Sequence, residues 1–516
     1  MDKMQQTDSI LYDVCIVGAG WSGLMACKYA LENGLSVIVF EQRSHLGGIW
    51  NYSQDPNVVS VEASTVIPSP AYLTEASDFY LSPTSETFLH QSQIIKYLND
   101  YARHFNLLPH IKFNETVIHT TNGNNWLVTT QSATIKAKNL VVSGGANAIT
   151  PSRPRELRDF EGKVEHLGHI KEYKNHRMYS KEQVLLYGNE GLAIDTLKFL
   201  ATSVHTLTCS IPKQYNSFSA TNLTQADDNI SLHQEIHACA PKKASQYSTD
   251  TLLRWLNTAT STLKLWINKC QYTSLLKKTT AIPKYDTNIN CKDAIHSSIG
   301  QSVKFYSGET RYFDRIILCT GYTYQLSFLP KKYAYKARNQ CYKSVFDCQD
   351  PSLIFIGSVR PCVGTLPLIS ELQCRWAFKI LSGKKYLPSL PRMQNQINLD
   401  NQFWSRYINR QANSDTLVEP YTYCKQIAHL SGDNPDYRKL FIQSPYAFVT
   451  TCLSPISSAH FAIKDKKTRD SAIAQICARR RARGGLFLLC TIFRKIIHHK
   501  WQVELSTKRA TKNHSP

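Results

Sequence analysis

The sequence predicts an α/β chain of parallel strands covered by helices, and two stretches carry that prediction. The first is Tyr12-Asp13-Val14-Cys15-Ile16-Val17-Gly18-Ala19-Gly20-Trp21-Ser22-Gly23-Leu24, an apolar run that enters a G-x-G-x-x-G turn and then a helix. The second is Gln183-Val184-Leu185-Leu186-Tyr187-Gly188-Asn189-Glu190-Gly191, another apolar run entering glycines, followed by a helical Ala193 to Ala201. Apolar runs of this kind suit strands buried on both faces. At 516 residues the chain has the length for two or three domains and ample core.

In the first stretch, Gly18 permits the tight turn and Gly20 lets backbone approach a pyrophosphate. Gly23 lets the helix pack closely on the strand, with its N-terminus aimed at phosphate. The helix leads through Gly34 to a second apolar strand, Ser36-Val37-Ile38-Val39-Phe40, ending in Glu41. An acid at this separation is placed to hold a ribose hydroxyl, which completes a dinucleotide-binding unit of the Rossmann type. Next comes Gln42-Arg43-Ser44-His45-Leu46-Gly47-Gly48-Ile49-Trp50, a loop whose two glycines suit passage close to a flat ligand.

Residues 58–98 are irregular, with Pro68, Pro70 and Pro83, and then turn helical. Ile94, Ile95, Tyr97, Leu98, Tyr101 and Ala102 follow the 3.6-residue period of an amphipathic helix over His90 to His104. Strands are expected at Ile111-Lys112-Phe113, at Trp126 to Thr129, and at Asn139 to Val142 before Ser143-Gly144-Gly145. Residues 214–300 are polar, with one helix expected at Thr251 to Asn268. A hairpin-like stretch at Ser302 to Thr310 precedes the buried strand Asp314 to Cys319, and another buried strand runs from Ser352 to Ile356 into Gly357.

Composition is that of a globular protein. The polar start, Met1 to Ile10, lacks the apolar core of a secretory signal, and no run approaches the roughly 20 apolar residues that span a bilayer. The 15 cysteines form no C-x-x-C pair, which reads as reduced intracellular thiols. Of the net charge of +21, +11 falls in residues 464–516, where seven Lys and seven Arg face three acids. That is a basic tail and not a basic body. Within it, Arg479-Arg480-Arg481-Ala482-Arg483 precedes an apolar Leu486 to Ile497 and then His498-His499-Lys500-Trp501. Residues 479–501 therefore suit a helix lying in a membrane interface, or else a helix docked on the protein or a poorly folded tail. No aromatic interleaving accompanies the arginines, so nucleic acid is not an expected partner.

The segments G-A-G-W-S-G-L and L-G-G-I-W resemble the flavin-containing monooxygenases, in which both wrap FAD. The resemblance covers roughly residues 10–400 and includes Thr320-Gly321-Tyr322 and the E-L-Q-x-R-W run at Glu371-Leu372-Gln373-Cys374-Arg375-Trp376. It implies an α/β fold of two Rossmann-like dinucleotide-binding domains, an FAD domain and an inserted NADPH domain, plus a mixed helical C-terminal extension. The implied boundaries are 10–155 and 323–400 for the FAD domain, 156–322 for the NADPH domain and 401–516 for the extension. The implied FAD-binding residues are Gly18, Gly20, Trp21, Ser22, Gly23, Glu41, Gly47, Gly48, Ile49, Trp50 and Gly357, the last bringing backbone donors toward the flavin ring. For NADPH they are Gly188, Gly191 and Lys213. No metal is implied: His166 and His169 could pair on a metal, but no third ligand is placed nearby and they read more readily as loop histidines.

This sequence departs from the family in five places. Ser143-Gly144-Gly145 stands where alanine, threonine and glycine are usual. The family motif F-x-G-x-x-x-H-x-x-x-Y/F is matched from Phe160 through Gly162 to His166, but Ile170 takes the last position, while His169 and Tyr173 keep the spacing. In the second turn Glu190 stands at the second glycine if Gly188 is the first, or Leu186 replaces the first glycine if Gly188 and Gly191 match the later half of the motif, and either way the phosphate cradle is weakened. Lys213 is the nearest cation where an arginine commonly meets the 2′-phosphate. The asparagine expected after the G-G-x-W loop is missing, since none lies between Asn57 and Asn99, and Ser64 and Thr65 are the hydroxyls in its region.

The activity implied is oxygenation of a soft nitrogen or sulfur nucleophile by O2, with NADPH reducing FAD and a C4a-hydroperoxyflavin transferring the oxygen atom. The missing asparagine and altered second turn also admit a flavin oxidase or peroxide-producing flavoprotein, or a membrane-associated FAD-binding protein without turnover. The partners implied are O2, a small N- or S-containing substrate and peripheral membrane contact through 479–501. The implied location is intracellular, cytoplasmic or peripheral to a membrane such as the endoplasmic reticulum.

Overall fold

The computed structural model describes residues 10–55, 58–61, 63, 65–81, 88–143, 150–151, 154–166, 181–188, 204, 206–210, 289–319, 322–323, 326–334, 340–361, 366–407, 417–418, 420–445, 447–448, 451, 457–465 and 468–481. Ser64, His169, Tyr173, Glu190, Gly191, Lys213, the expected helix at 251–268 and the tail beyond Arg481 lie outside them. The chain divides into two compact units. One comprises residues 1–249 and 269–433, the other residues 250–268 and 434–516.

The first unit holds two mainly parallel sheets. One is assembled from β1 (Leu11–Val17), β2 (Val37–Phe40), β3 (Ile111–Lys112), β4 (Val117–Asn122), β5 (Trp126–Thr130), β6 (Thr134–Val142) and a late strand, Leu353–Phe355. Its order is β3-β2-β1-β6-β5-β4, with Leu353–Phe355 also pairing with β6. β6 runs parallel to β1 from Lys136 to Val142 on one edge. Its other edge is shared: the first half pairs antiparallel with β5, and the second half pairs parallel with Leu353–Phe355. This is why the apolar pattern is denser at the end of β6 than at its start: Leu140, Val141 and Val142 are all buried. One face of the sheet packs Cys15, Ile38, Phe40, Val128, Leu140, Val142 and Phe355 with Trp126, whose indole N–H donates to Ser352 Oγ at 2.8 Å.

The second sheet is formed by β7 (Lys163–His166), β8 (Gln183–Gly188), β9 (Thr206–Ser210), β10 (Ile289–Lys292) and, after a small antiparallel sheet, β14 (Arg315–Cys319). That small sheet joins β11 (Ile295–Ile299), β12 (Ser302–Phe305) and β13 (Thr310–Tyr312). The order β7-β14-β8-β9-β10 is parallel throughout. Leu185, Tyr187, Ile316 and Leu318 pack with Phe305 and Phe313 of the small sheet and its flank. At the start of β14, buried Arg315 meets Glu182 through two parallel bonds of 2.5 and 2.9 Å and also reaches Glu165. The guanidinium is buried while both glutamates keep part of their surface in water, so losing one partner costs about 1–3 kcal/mol, and the cluster ties β7 and β14 to the residue preceding β8.

Helix α1 (Trp21–Glu32) follows β1, and α2 (Gln91–His104) buries Ile94, Tyr97, Leu98, Tyr101 and Ala102, the face its period predicts. After Leu353–Phe355 (β15) come α3 (Leu366–Leu381), α4 (Leu390–Tyr407) and α5 (Pro420–Ser431). The second unit contains α6 (Tyr437–Gln443), α7 (Ser458–Ala462) and α8 (Arg469–Arg481). Asp436 caps α6 by accepting from the Lys439 N–H at 3.1 Å. Among the described residues, no helix is long and apolar enough to cross a membrane. Cys15, Cys27, Cys209, Cys319, Cys341, Cys348, Cys374 and Cys424 are buried thiols.

Candidate functional site

The site is built at the ends of β1 and β2. Gly18 leaves β1 with φ 100°, a left-handed conformation that disfavours other residues, and its N–H bonds to the Phe40 carbonyl at 2.8 Å. Gly23 is fixed by space: a Cβ there would lie 1.9 Å from the Gly18 carbonyl oxygen and 2.8 Å from Ser143 Oγ. No rotamer relieves a clash with backbone, so α1 can sit this close to β1 only on a glycine. The first-turn N–H groups of α1 then point out of the turn, making it a ready anion site.

The Gly47–Gly48 loop closes over that turn. The Gly47 N–H donates to the Ala19 carbonyl at 3.0 Å, and a Cβ on Gly48, which has φ +55°, would lie 3.2 Å from the Gly20 Cα. Gly47 itself has φ +108°, and a Cβ on it would strike the Ile95 side chain at 2.2 Å. Glu41 is buried beside the turn, accepting from the Ala19 N–H at 2.7 Å with Oε2 and from the Arg43 N–H at 3.0 Å with Oε1. A carboxylate has about four acceptor positions, so two remain for ribose hydroxyls. The Arg43 guanidinium holds the loop from outside, donating to the carbonyls of Gly48 at 2.6 Å and Asn51 at 2.9 Å.

Gly357, 339 residues after Gly18 in the sequence, arrives at the same place. Its φ is +71°, and a Cβ on it would lie 2.1 Å from Ser22 Oγ, so its close approach to α1 requires glycine. Its N–H is already engaged, donating to the Gln373 side-chain oxygen at 2.8 Å. Gln373 in turn donates to the Tyr423 hydroxyl at 2.7 Å, which donates to the Lys343 carbonyl at 2.7 Å. Ser22 and Ser370 share a hydrogen bond of 2.9 Å beneath it. Gly357 thus serves by shape, and its own donor belongs to the scaffold.

The E-L-Q-x-R-W run is where sequence reasoning saw least. Glu371 accepts from the Tyr29 hydroxyl at 2.8 Å, from the Ser77 N–H at 3.1 Å and from Arg375 at 2.8 Å. Arg375 donates to the Tyr29 oxygen at 3.1 Å and to Ser77 Oγ. Burial opposes the Arg375 charge, yet Tyr29 and Glu371 beside it hold the guanidinium protonated. Burial likewise pushes the Tyr29 hydroxyl up, so it stays a neutral donor. This network joins α1, α3 and residues 71–81, segments some 50 to 350 positions apart, which no local pattern could reveal. Lys28 completes it from α1, pairing with Glu32 at 2.8 Å and with Asp78. Trp376 and Phe378 are core residues.

Thr65 is described and half-buried, directly before the strand Val66–Pro70, which pairs with Phe88–His90. Its carbonyl accepts from the Gln91 N–H at 2.8 Å, while the Gln91 side chain donates to the Trp50 carbonyl. The Val61 N–H reaches the Ile49 carbonyl at 2.8 Å. Thr65 is therefore tied to the Ile49–Trp50 loop through Gln91, a glutamine that no sequence pattern marks.

At the second turn the described residues stop at Gly188. It ends β8 with φ 122° and lies opposite Cys319 of β14. His166 is the last residue of β7 and is buried. Among the described residues no group of three or more His, Cys, Asp or Glu is arranged to hold a metal ion.

A family model described as flavin-binding monooxygenase-like matches residues 12–482. The chain belongs to that family. Mouse dimethylaniline monooxygenase (N-oxide-forming) 2 is 24% identical over 480 residues, covering 87% of this chain and 88% of its own. Human flavin-containing monooxygenase 5 is 26% identical over 508 residues, covering 89% and 90% respectively. Among solved structures, S-allyl-L-cysteine S-oxygenase from Allium sativum shares the fold, with a TM-score of 0.61 at 18% identity over 90% of this chain and 99% of that one. The chain is thus a flavin-dependent monooxygenase, and the family's cofactors are FAD and NADPH. The first turn fits FAD: a glycine cradle closed by a second glycine loop, a helix N-terminus, and a buried acid with acceptor positions to spare. For NADPH the described residues offer Gly188, whose left-handed backbone suits the first position of such a turn.

Proposed function

We propose that this chain is an NADPH-dependent monooxygenase that passes one oxygen atom of O2 to a soft nitrogen or sulfur nucleophile. The observation that carries this reading is the Gly18–Gly23 turn packed against the Gly47–Gly48 loop, with Gly357 pressed onto Ser22. Such a site presents backbone and shape to a cofactor and leaves the redox chemistry to it. The relatives' names supply the substrate class: one forms N-oxides and the other is an S-oxygenase.

In this reading Gly18, Gly20, Trp21, Ser22 and Gly23 receive the FAD pyrophosphate, and Glu41 holds a ribose. Gly47, Gly48, Ile49, Trp50 and Gly357 line the flavin. Bound and reduced, FAD supplies the activation of O2. Thr65, with Ser64, stands in for the missing asparagine as a hydroxyl donor near the reacting oxygen. Gly188, Gly191 and Lys213 receive NADPH. Residues 10–155 and 323–400 form the FAD domain, 156–322 the NADPH domain and 401–516 the extension, whose 479–501 stretch contacts a membrane surface from one side.

The missing asparagine favours a second reading, in which reduced flavin returns its electrons to O2 as hydrogen peroxide. Mixing the FAD-loaded protein with NADPH, O2 and either dimethylaniline or S-allyl-L-cysteine separates the two. N-oxide or sulfoxide formed in step with NADPH oxidation supports the first reading. Peroxide alone with both substrates supports the second.

A further inference from the structure

We infer that Gln91 is a positioning residue, setting the Trp50 loop and the Thr65 segment in one fixed relation at the reactive end of the site. The inference rests on the reading of Ile49, Trp50 and Thr65 given above. Gln91 is the first residue of α2, and its N–H therefore has no role in that helix's own ladder. It is spent instead on the Thr65 carbonyl at 2.8 Å. The side chain, buried on the same side, donates its amide N–H to the Trp50 carbonyl.

The other loop carbonyls are held from elsewhere: Gly48 and Asn51 by Arg43, and Ile49 by the Val61 N–H. Trp50 ends the single helical turn Gly48–Trp50, where a carbonyl lacks a partner within the turn. Gln91 supplies that partner. Its backbone and side chain thus grip two segments, and the length of one glutamine side chain separates the two grips. α2 provides a firm base, since its own N-terminus is fixed by the His90 N–H donating to Gln93 at 2.8 Å and its inner face is buried.

Two variants cut the side-chain grip and keep the backbone bond to Thr65. Gln91→Glu retains length and shape but sets an acceptor against the Trp50 carbonyl, and Gln91→Met removes the polar group. Both are to be prepared as FAD-loaded full-length protein. The readouts are FAD content, visible circular dichroism of bound flavin without NADPH, and peroxide released per NADPH oxidised with dimethylaniline present. The expected result is retained FAD, altered flavin dichroism in both variants, and a peroxide fraction raised about five-fold, the factor one lost hydrogen bond carries. Unchanged dichroism with an unchanged peroxide fraction overturns the inference, as does loss of FAD from both variants, which would make Gln91 a binding or folding residue. If the wild-type protein oxygenates neither amine nor sulfide, the function reading fails while the dichroism still decides the role of Gln91. Should Gln91→Glu not fold, Gln91→Met carries the same comparison.

Discussion

The two glycine turns of this protein begin alike and diverge after their first residue. Each follows a strand that is hydrogen-bonded in parallel on both sides, and each opens with a glycine of positive φ, 100° at Gly18 and 122° at Gly188. Beyond that, the first turn is enforced by contact: Gly20 faces Gly48, and Gly23 has no room for a methyl group. Counted in sequence from Gly188, the second has Glu190 where the first has Gly20. The strand and its positive-φ first glycine are thus kept in both, while in sequence the second departs from the first at Glu190. In a turn of this kind the first glycine serves the tight turn itself, whereas the second lets backbone approach a pyrophosphate.

The largest effect expected from perturbing this comparison is at Gly23. Gly23→Ala places a methyl 1.9 Å from a carbonyl oxygen, so α1 must shift off β1. Purified protein should lose bound FAD, and its thermal unfolding should fall by a margin typical of overpacking, about 1–3 kcal/mol or more. Next comes Gly20→Ala, whose methyl meets Gly48 at an ordinary 3.6 Å. Here unfolding should stay within about 0.5 kcal/mol of the original while FAD affinity, read by fluorescence titration, drops, because the methyl occupies the phosphate approach. A parallel fall in both would show that the cradle is structural and not a binding device.

On the alignment that takes Gly188 as the first glycine, Glu190→Gly removes a like charge from the phosphate-binding motif and should tighten NADPH by about ten-fold, roughly 1.4 kcal/mol. The smallest effect lies at the start of β1. Lys138 and Ser36 hold the Asp13 carboxyl down at about 2 against its ordinary 3.8. A carboxyl depressed in the folded state stabilises above its ordinary value and loses that contribution as pH falls through it toward about 2. Asp13→Asn should therefore cost up to about 1 kcal/mol near neutral pH, less in high salt, since the pair is partly exposed. The gap from the original protein should close between about pH 4 and pH 2 in urea titrations.

How much of this could be read in advance follows the range of the contacts. The first turn, Glu41 and the Gly47–Trp50 loop were legible because the turn, its helix and its acid lie within some forty residues and each glycine has a local reason. Val37–Phe40, Gln183–Gly188, Arg315–Cys319 and Leu353–Phe355 were legible as apolar runs and α2 by its period, whereas Val66–Pro70, Val117–Asn122, Lys163–His166 and Ile289–Lys292 were not, since polar residues interrupt them. The Glu371–Arg375–Ser77–Tyr29 network was not, since its members are polar residues whose pairing depends on tertiary contacts across most of the chain. Gln373 and Gln91 were hidden for the same reason. An amide that braces a backbone group looks in sequence like any surface glutamine. Gly357 was expected to bring backbone donors toward the flavin ring, and the engagement of its own N–H by Gln373 became visible only in the structure.

The proposed activity requires FAD held at the first turn and its reduction by NADPH at the second. Anaerobic mixing of the FAD-loaded protein with NADPH, followed by flavin absorbance, tests it most directly. The oxidised flavin band should disappear in a single phase whose rate saturates with NADPH, and Glu190→Gly should saturate at lower concentration. A flavin that dithionite bleaches but NADPH leaves oxidised at every concentration would contradict it.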